Sequence, residues 1–429
     1  MELSDHLFRR ESGRMVAAVT RIFGFQNLAL AEDVVQEAFI RAVEVWKFRG
    51  VPENPSAWLM MTAKNCALDA MRKQRTARTF APELSRYLQS EWTLAPAINE
   101  MFGENVVKDD SLRMMISCCQ PALVEEAQVA LILNILCGFS VNEIAAAFMS
   151  SHAAIEKRIT RSKVVLAKSK NLFDIANDAE FVTRLPAVHR ALYLLFSEGY
   201  HGACSQAAIR SELCREALRL VAILAGHQQG AKPSTYALAA LMCFDAARLA
   251  ARMDEGGNLR PLSDQDRSLW DRQLIAEGFR FLDLSAAGGE LTEYHIEAAI
   301  ASVHALAPSM EETDWQTIVG LYETLMTRRP TPIVALNRAI AIAQAQGPER
   351  GLQEIAAIAD SDRLEKYPFY FAAMGELEYR LARLEASLEH FRAALALARN
   401  PMERAFFEKR IAICADGKPS KAYYQPAPL

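Results

Sequence analysis

Strand signals are almost missing from this 429-residue chain: alternating β-branched runs bounded by Asn-Gly or Asp-Gly do not occur. Apolar residues instead recur at i, i+3, i+4 and i+7 along the sequence, so the expected fold is all-α. No run of 18 apolar residues is present, which argues against a membrane-spanning helix. The N-terminal "MELSDHLFRRESGR" is charged and lacks the apolar core of a secretion signal. None of the eight cysteines forms a C-x-x-C pair, and a chain this long needs no disulfide staples. Reduced thiols in the cytoplasm are therefore expected. No G-x-S-x-G, H-E-x-x-H or Walker pattern occurs, so neither an enzyme nor a cofactor is indicated. A net charge of −4 argues against a wholly basic nucleic-acid binder but permits a local basic site.

Two or three domains are expected at this length. Within residues 3–46, Ala31, Val34, Val35, Ala38, Phe39, Ala42, Val45 and Trp46 form an apolar stripe. The opposite face carries Glu32, Asp33, Gln36, Glu37 and Arg41. The loop "RGVPENPSA" (49–57) follows, with Ser56 placed to cap a helix that ends basic at Arg72, Lys73 and Arg75. Residues 77–110 read as a poorly periodic linker between a first domain (1–76) and a second (111–170). A further boundary near Asn171–Pro186 opens a large region of Ala/Leu-rich helices (180–415). Near its end, "GELEYRLARLEASLEHFRAALALARNP" places Gly375, Phe391 and Ala394 at spacings similar to those of tetratricopeptide helices. Ala382 stands where the second glycine of that repeat usually sits, and 332–359 reads as a similar helix pair. A tetratricopeptide-like tail near 332–400 is expected.

Basic charge concentrates in "VNEIAAAFMSSHAAIEKRITRSKVVLAKSK" (141–170). Ser140 and Glu143 give a capping-box pattern before a short helix carrying Ile144, Ala145 and Phe148. "MSSH" makes a tight turn, and the next helix buries Ile155, Ile159, Ser162 and Leu166. Its outer side offers Ser151, His152, Glu156, Lys157, Arg161 and Lys163. That is the layout of a helix-turn-helix recognition helix, whose N-terminal residues meet base edges and whose basic residues meet phosphates. Glu156 repels phosphate; it either accepts from a cytosine N4 amine or pairs with Arg161. His152 reads as a surface turn residue.

"LAEDVVQEAFIRA" (30–42) followed by "PSAWLMMTAKNCALDAMRKQR" (55–75) resembles region 2 of sigma-70 family transcription initiation factors. Trp58, Leu59, Asn65, Asp69 and Arg72 match that family's W-L-x-x-x-A-x-N-x-x-x-D-x-x-R pattern. The helix-turn-helix then resembles region 4, and the two-domain order resembles the extracytoplasmic-function group. "LFSEGY", "LCREALRL", "LMCFDAARLAAR", "QDRSLWDRQLIAEGF", "AAIASVHA", "TDWQTIVGLYETL" and "VALNRAIAIA" are similar to one subgroup with a large helical C-terminal extension. The resemblance implies a non-enzymatic initiation factor with two partners, core RNA polymerase and promoter DNA. Asp33, Gln36 and Glu37 would dock on the polymerase, where carboxylates suit an arginine-bearing surface. The loop with Asn54 and Ser56 would hold a flipped base of the −10 element. Asn65, Arg72 and Lys73 would contact its strand or phosphates, and the second domain would read the −35 element. Trp58 reads as core rather than a stacking platform. The C-terminal extension would regulate or bind a protein partner, and only weak DNA binding is expected without core enzyme.

Two residues depart from the family pattern, Gln120 and Glu156; Glu156 stands where a neutral or basic residue is often seen and leaves the −35 sequence open. Gln120 follows Cys118 and Cys119 where the subgroup commonly has a histidine, so the pair reads as core cysteines rather than a metal site. His295 and His304 near Asp314 read as core or capping residues, because no nucleophile motif accompanies them.

Overall fold

The computed structural model describes residues 2–73, 104–148, 150–168, 178–201, 210–254 and 259–416. The described residues are helical, joined by turns, with one isolated bridge between Met253 and Leu259 as the sole β pairing among them. They form two compact units. The first comprises Met1–Leu195 with Gly226–Gly230, the second Phe196–Ala225 with Ala231–Leu429. No helix among the described residues is long and apolar enough to cross a membrane.

In the first unit, α1 (Glu2–Phe23), α2 (Leu28–Arg49) and α3 (Pro55–Lys73) pack on one another. The expected stripe of α2 buries Ala31, Val34, Val35, Ala38 and Ala42, while Asp33, Gln36 and Glu37 remain exposed. The 22-residue length of α2 gives it about 33 Å at 1.5 Å per residue. Asn54 Oδ1 accepts the Ala57 N–H at 3.0 Å, so Asn54 caps α3 in place of the expected Ser56. Proline at position 55 explains the shift: it suits a helix's first position, which moves the cap back two residues, to Asn54.

The expected linker lies outside the described residues up to residue 103, and helix resumes at α4 (Glu104–Cys118), earlier than Ser111. Then come α5 (Glu125–Ile135), α6 (Val141–Ala147) and α7 (His152–Lys168). The boundary expected near Asn171–Pro186 lies partly outside the described residues, and helix α8 (Asp178–His201) carries Pro186 in its interior. An interior proline forfeits one backbone hydrogen bond and costs ~3 kcal/mol. Burial of Phe181, Leu185, Val188 and Leu192 on either side of it offsets that cost. Arg184 also donates to the Ile116 carbonyl at 3.2 Å, tying the start of α8 to the end of α4.

The second unit continues from the last turn of α8 through α9 (Ser211–Gly226), α10 (Pro233–Ala247), α11 (Arg272–Ser285), α12 (Glu293–Leu306) and α13 (Trp315–Arg328). It ends in α14 (Pro332–Gln346), α15 (Pro348–Ala356), α16 (Pro368–Arg380), α17 (Leu384–Ala396) and α18 (Pro401–Ala415). Gly375 lies against the ring of Phe391, where a Cβ would approach to 3.2 Å. Ser387 Oγ donates to the Gly375 carbonyl at 2.7 Å, and a buried ion pair joins Glu376 to Arg410. Ala382 adopts φ 59°, the left-handed region that costs a residue bearing a Cβ about 1–2 kcal/mol. Glycine relieves that strain but gains unfolded-state freedom of about 0.4–1 kcal/mol. Ala382→Gly is therefore expected to stabilise the second unit by about 0.5–1 kcal/mol, read as a raised denaturant midpoint.

His304 is buried on α12, edge-on to Trp315 with ring centroids 5.3 Å apart. Burial, reinforced by Arg248 and Arg267, pushes its pKa down to about 3. The unfolded chain then binds this proton near the ordinary histidine value of about 6.5, while the folded chain refuses it. The contribution is complete above that value and is lost as pH falls toward about 3. Between pH 7 and pH 5 the wild type should lose about 2 kcal/mol more stability than His304→Leu, measured by urea unfolding at each pH.

Candidate polymerase and nucleic-acid interface

The pair α6 and α7 rests on its caps. Glu143 Oε2 accepts the Ser140 backbone N–H at 2.8 Å, and Ser140 Oγ accepts the Glu143 N–H at 3.3 Å. This reciprocal pair satisfies donors that the start of α6 would otherwise leave open. Ser151 Oγ accepts the Ala154 N–H at 3.3 Å and so caps α7. Ile155, Ile159, Ser162 and Leu166 face inward as the spacing requires. Ser151, His152, Glu156, Lys157 and Arg161 are exposed along the other side. His152 is the first residue of α7 rather than part of the turn, and its Nδ1 lies 3.9 Å from Glu156. That contact favours neither of the two roles first open to Glu156.

Lys163 behaves differently. Its Nζ donates to Glu32 Oε1 of α2 at 2.6 Å, with the two side chains 29% and 27% exposed. Sequence reading placed Glu32 on the polar face of α2 but gave no sign of this partner, which lies more than a hundred positions away. Around the pair opens a cavity of about 610 Å³. Glu32 and Gln36 line it from α2, Asn134 from α5, Glu143 from α6 and Lys163 from α7. Gly13 of α1 closes the contact nearby: a Cβ there would lie 1.9 Å from the Leu136 carbonyl oxygen. Arg21 of α1 also reaches the fully buried Asp110 of α4 at 3.2 Å.

On the outer face, Asp33, Gln36 and Glu37 share one side of α2, and Glu37 accepts from Arg41 at 2.9 Å. Asn54 and Asn65 are exposed and Ser56 is half-buried. Arg72 and Lys73 fall in the last turn of α3, and their side chains lie outside the described residues. Trp58 packs edge-on to Trp46 at 5.5 Å, with Leu59 fully buried beside it in sequence.

Cys118 and Cys119 are buried, and burial pushes the Cys119 thiol up to about 12. Its Sγ donates to the Met115 carbonyl, while Gln120 Nε2 donates to that of Ser117. Both thiols are thus held as core groups. His295 Nδ1 accepts the Thr292 N–H at 3.0 Å in a capping box, and Asp314 Oδ1 accepts the Thr317 N–H at 3.0 Å. His295 and Asp314 therefore cap the N-termini of α12 and α13.

The C-terminal sequence blocks converge on a second polar cluster. Arg252 lies over the Tyr200 ring at 3.8 Å and donates to the Tyr200 carbonyl. Arg248 pairs with Asp245 at 3.6 Å and lies 5.5 Å from the Trp270 ring centroid. Arg267, 4.9 Å from that centroid, donates to the carbonyls of His304 and Ala307 at the end of α12. These arginines stack on aromatic rings and close a helix C-terminus, roles that need the planar guanidinium.

The N-terminal bundle with its exposed carboxylate face belongs to a known class: residues 7–77 match the model of sigma-70 region 2. Residues 184–286 match a family of unknown function, DUF6596, which spans the Tyr200–Trp270 part of the arginine cluster. The chain belongs to the same family as the uncharacterized protein R00370 of Rhizobium meliloti strain 1021, with 37% identity over 389 residues that cover 90% of each protein. It is also 25% identical over 144 residues to the ECF RNA polymerase sigma factor SigX of Bacillus subtilis strain 168. That match covers 33% of this chain and 71% of SigX. No solved structure matches the chain.

Replacing Ser140 by alanine removes the cap at the head of α6 and is expected to cost about 1 kcal/mol. Hydrogen exchange should locate the loss in α6 and the following turn; protection unchanged there would mean that the capping box is dispensable.

Proposed function

We propose that the chain is an alternative sigma factor that binds core RNA polymerase and initiates transcription from promoters read at their −35 and −10 elements. One observation carries this reading. A single compact unit holds a sigma-70 region 2 sequence together with a helix-turn-helix whose second helix exposes Ser151, His152, Glu156, Lys157 and Arg161. In this reading Asp33, Gln36 and Glu37 dock on polymerase. Asn54, Ser56, Asn65, Arg72 and Lys73 engage the opened −10 strand. The exposed residues of α7, together with Lys163, engage the −35 duplex. The factor performs no covalent chemistry; its contribution is binding energy spent on positioning polymerase and capturing unstacked bases.

The C-terminal unit is the regulatory or partner-binding part in this reading, with α14–α18 as tetratricopeptide-like helices. Gly375 packed on Phe391 and the left-handed Ala382 support the likeness.

Transcription in vitro with purified core polymerase on a promoter panel tests the reading, and full-length chain should yield transcripts from a subset. Asp33→Lys should weaken core-enzyme binding about tenfold or more by setting a cation against an arginine-bearing surface. Lys157→Ala should weaken −35 binding alike for all sequences and reduce the salt slope of the affinity by about one. A mutant that instead changed only sequence preference would place Lys157 on a base rather than a phosphate.

A further inference from the structure

We infer that the cavity beside Lys163 is a binding site for a small primary amine with an apolar body, its ammonium group held at Glu32 and its carbon skeleton on the apolar wall. Neither polymerase docking nor promoter reading accounts for this void, so the site stands or falls independently of the sigma-factor reading.

Close-packed interiors leave few voids larger than a water molecule. This one, at about 610 Å³, has the size of a small-molecule pocket, a class that runs from about 300 to 1,000 Å³. One wall is apolar: Val16, Val35, Ile135 and Phe139 are buried, with Phe39 half-buried beside them. Water against such a wall finds few hydrogen-bond partners, and carbon displaces it favourably. The other wall is polar. Gln36 and Ser140 on it are exposed, which sets the mouth of the cavity at the surface.

The polar wall decides the charge of the ligand. Its charged groups are Glu32, Glu143 and Lys163, two carboxylates against one amine. Lys163 Nζ is already engaged by Glu32 Oε1 at 2.6 Å. An anion brought here would meet two carboxylates and an engaged lysine, a juxtaposition of like charges that disfavours it. An ammonium group meets acceptors instead. Lys163 bonds one oxygen of Glu32 and leaves Oε2 open. Asn134 Nδ2 donates to the Phe139 carbonyl at 3.0 Å, which fixes the amide and leaves its Oδ1 as an acceptor. With the side-chain carbonyl of Gln36, these atoms supply one acceptor for each of the three N–H bonds of a primary ammonium. A quaternary ammonium, which has no N–H to donate, would leave them unused.

The test is titration of the full chain with phenethylamine, and with phenethyl alcohol and hydrocinnamate as neutral and anionic compounds of similar shape. Calorimetry gives the affinity, and the thermal midpoint follows it by mass action. The amine should bind saturably and at least about fivefold tighter than the alcohol, the scale of one charge-assisted hydrogen bond in a partly open site. The acid should not bind. Two substitutions should then act in opposite directions. Glu32→Gln removes the anchoring charge and should weaken the amine about fivefold while leaving the alcohol unchanged. Lys163→Met removes the competing cation and should tighten the amine about two- to fivefold. Circular dichroism checks the fold of each variant, and the three wild-type titrations decide the matter even where a variant unfolds. Equal affinity for amine, alcohol and acid, or no saturable binding of the amine, would overturn the site. So would two folded variants that shift the amine affinity in the same direction.

Discussion

A bare α-carbon at position 13 allows α1 to lie directly on the carbonyl of Leu136, and the organisation of the first unit follows from that approach. Any side chain there would push α1 away from the end of α5. With the helices this close, Arg21 reaches the buried Asp110, and α2 comes within an ion pair of α7. The basic helix α7 thereby meets a carboxylate of α2 in its own chain. An acidic protein with one concentrated basic helix is thus electrostatically consistent: part of that charge is neutralised internally, and the rest stands exposed on the outer side of α7.

What the sequence made legible was local. The stripe of α2, the inward face of α7 and the Ser140–Glu143 cap each follow from residues within a few turns of one another. Side-chain periodicity and capping chemistry are properties of short segments, so spacing alone discloses them. Where competing local signals met, spacing misled. Proline at position 55 shifted the cap of α3 from Ser56 to Asn54. Pro186 sits inside α8, where burial of the apolar residues around it offsets the lost hydrogen bond.

The candidate site was legible only as separate faces. Asp33, Gln36 and Glu37 stood out as one face and the outer residues of α7 as another, and both are exposed. Their proximity was hidden, because the Glu32–Lys163 bond links helices far apart in sequence and neither residue type is unusual on a helix surface. A glycine inside a helix was the available signal. Gly13 costs helix propensity, and such a cost is commonly met where two backbones must approach closely.

In the second unit the same reasoning separates chemistry from architecture. Buried histidines, arginines and tyrosines in one neighbourhood would ordinarily suggest a reactive centre. Here their atoms have other duties: His295 and Asp314 cap helices, Arg267 closes the end of α12, and Arg252 stacks on Tyr200. A histidine held near pKa 3 is neutral at physiological pH and therefore a poor match for proton transfer there. Arg267, pushed down to about 10 by burial, still carries its charge at that pH, and with Arg248 it adds to the burial that holds His304 neutral. Burial is thus the main cause of both shifts, and Arg267 binds its loop to the end of α12. In this neighbourhood the charged and aromatic groups join helices and loops to one another.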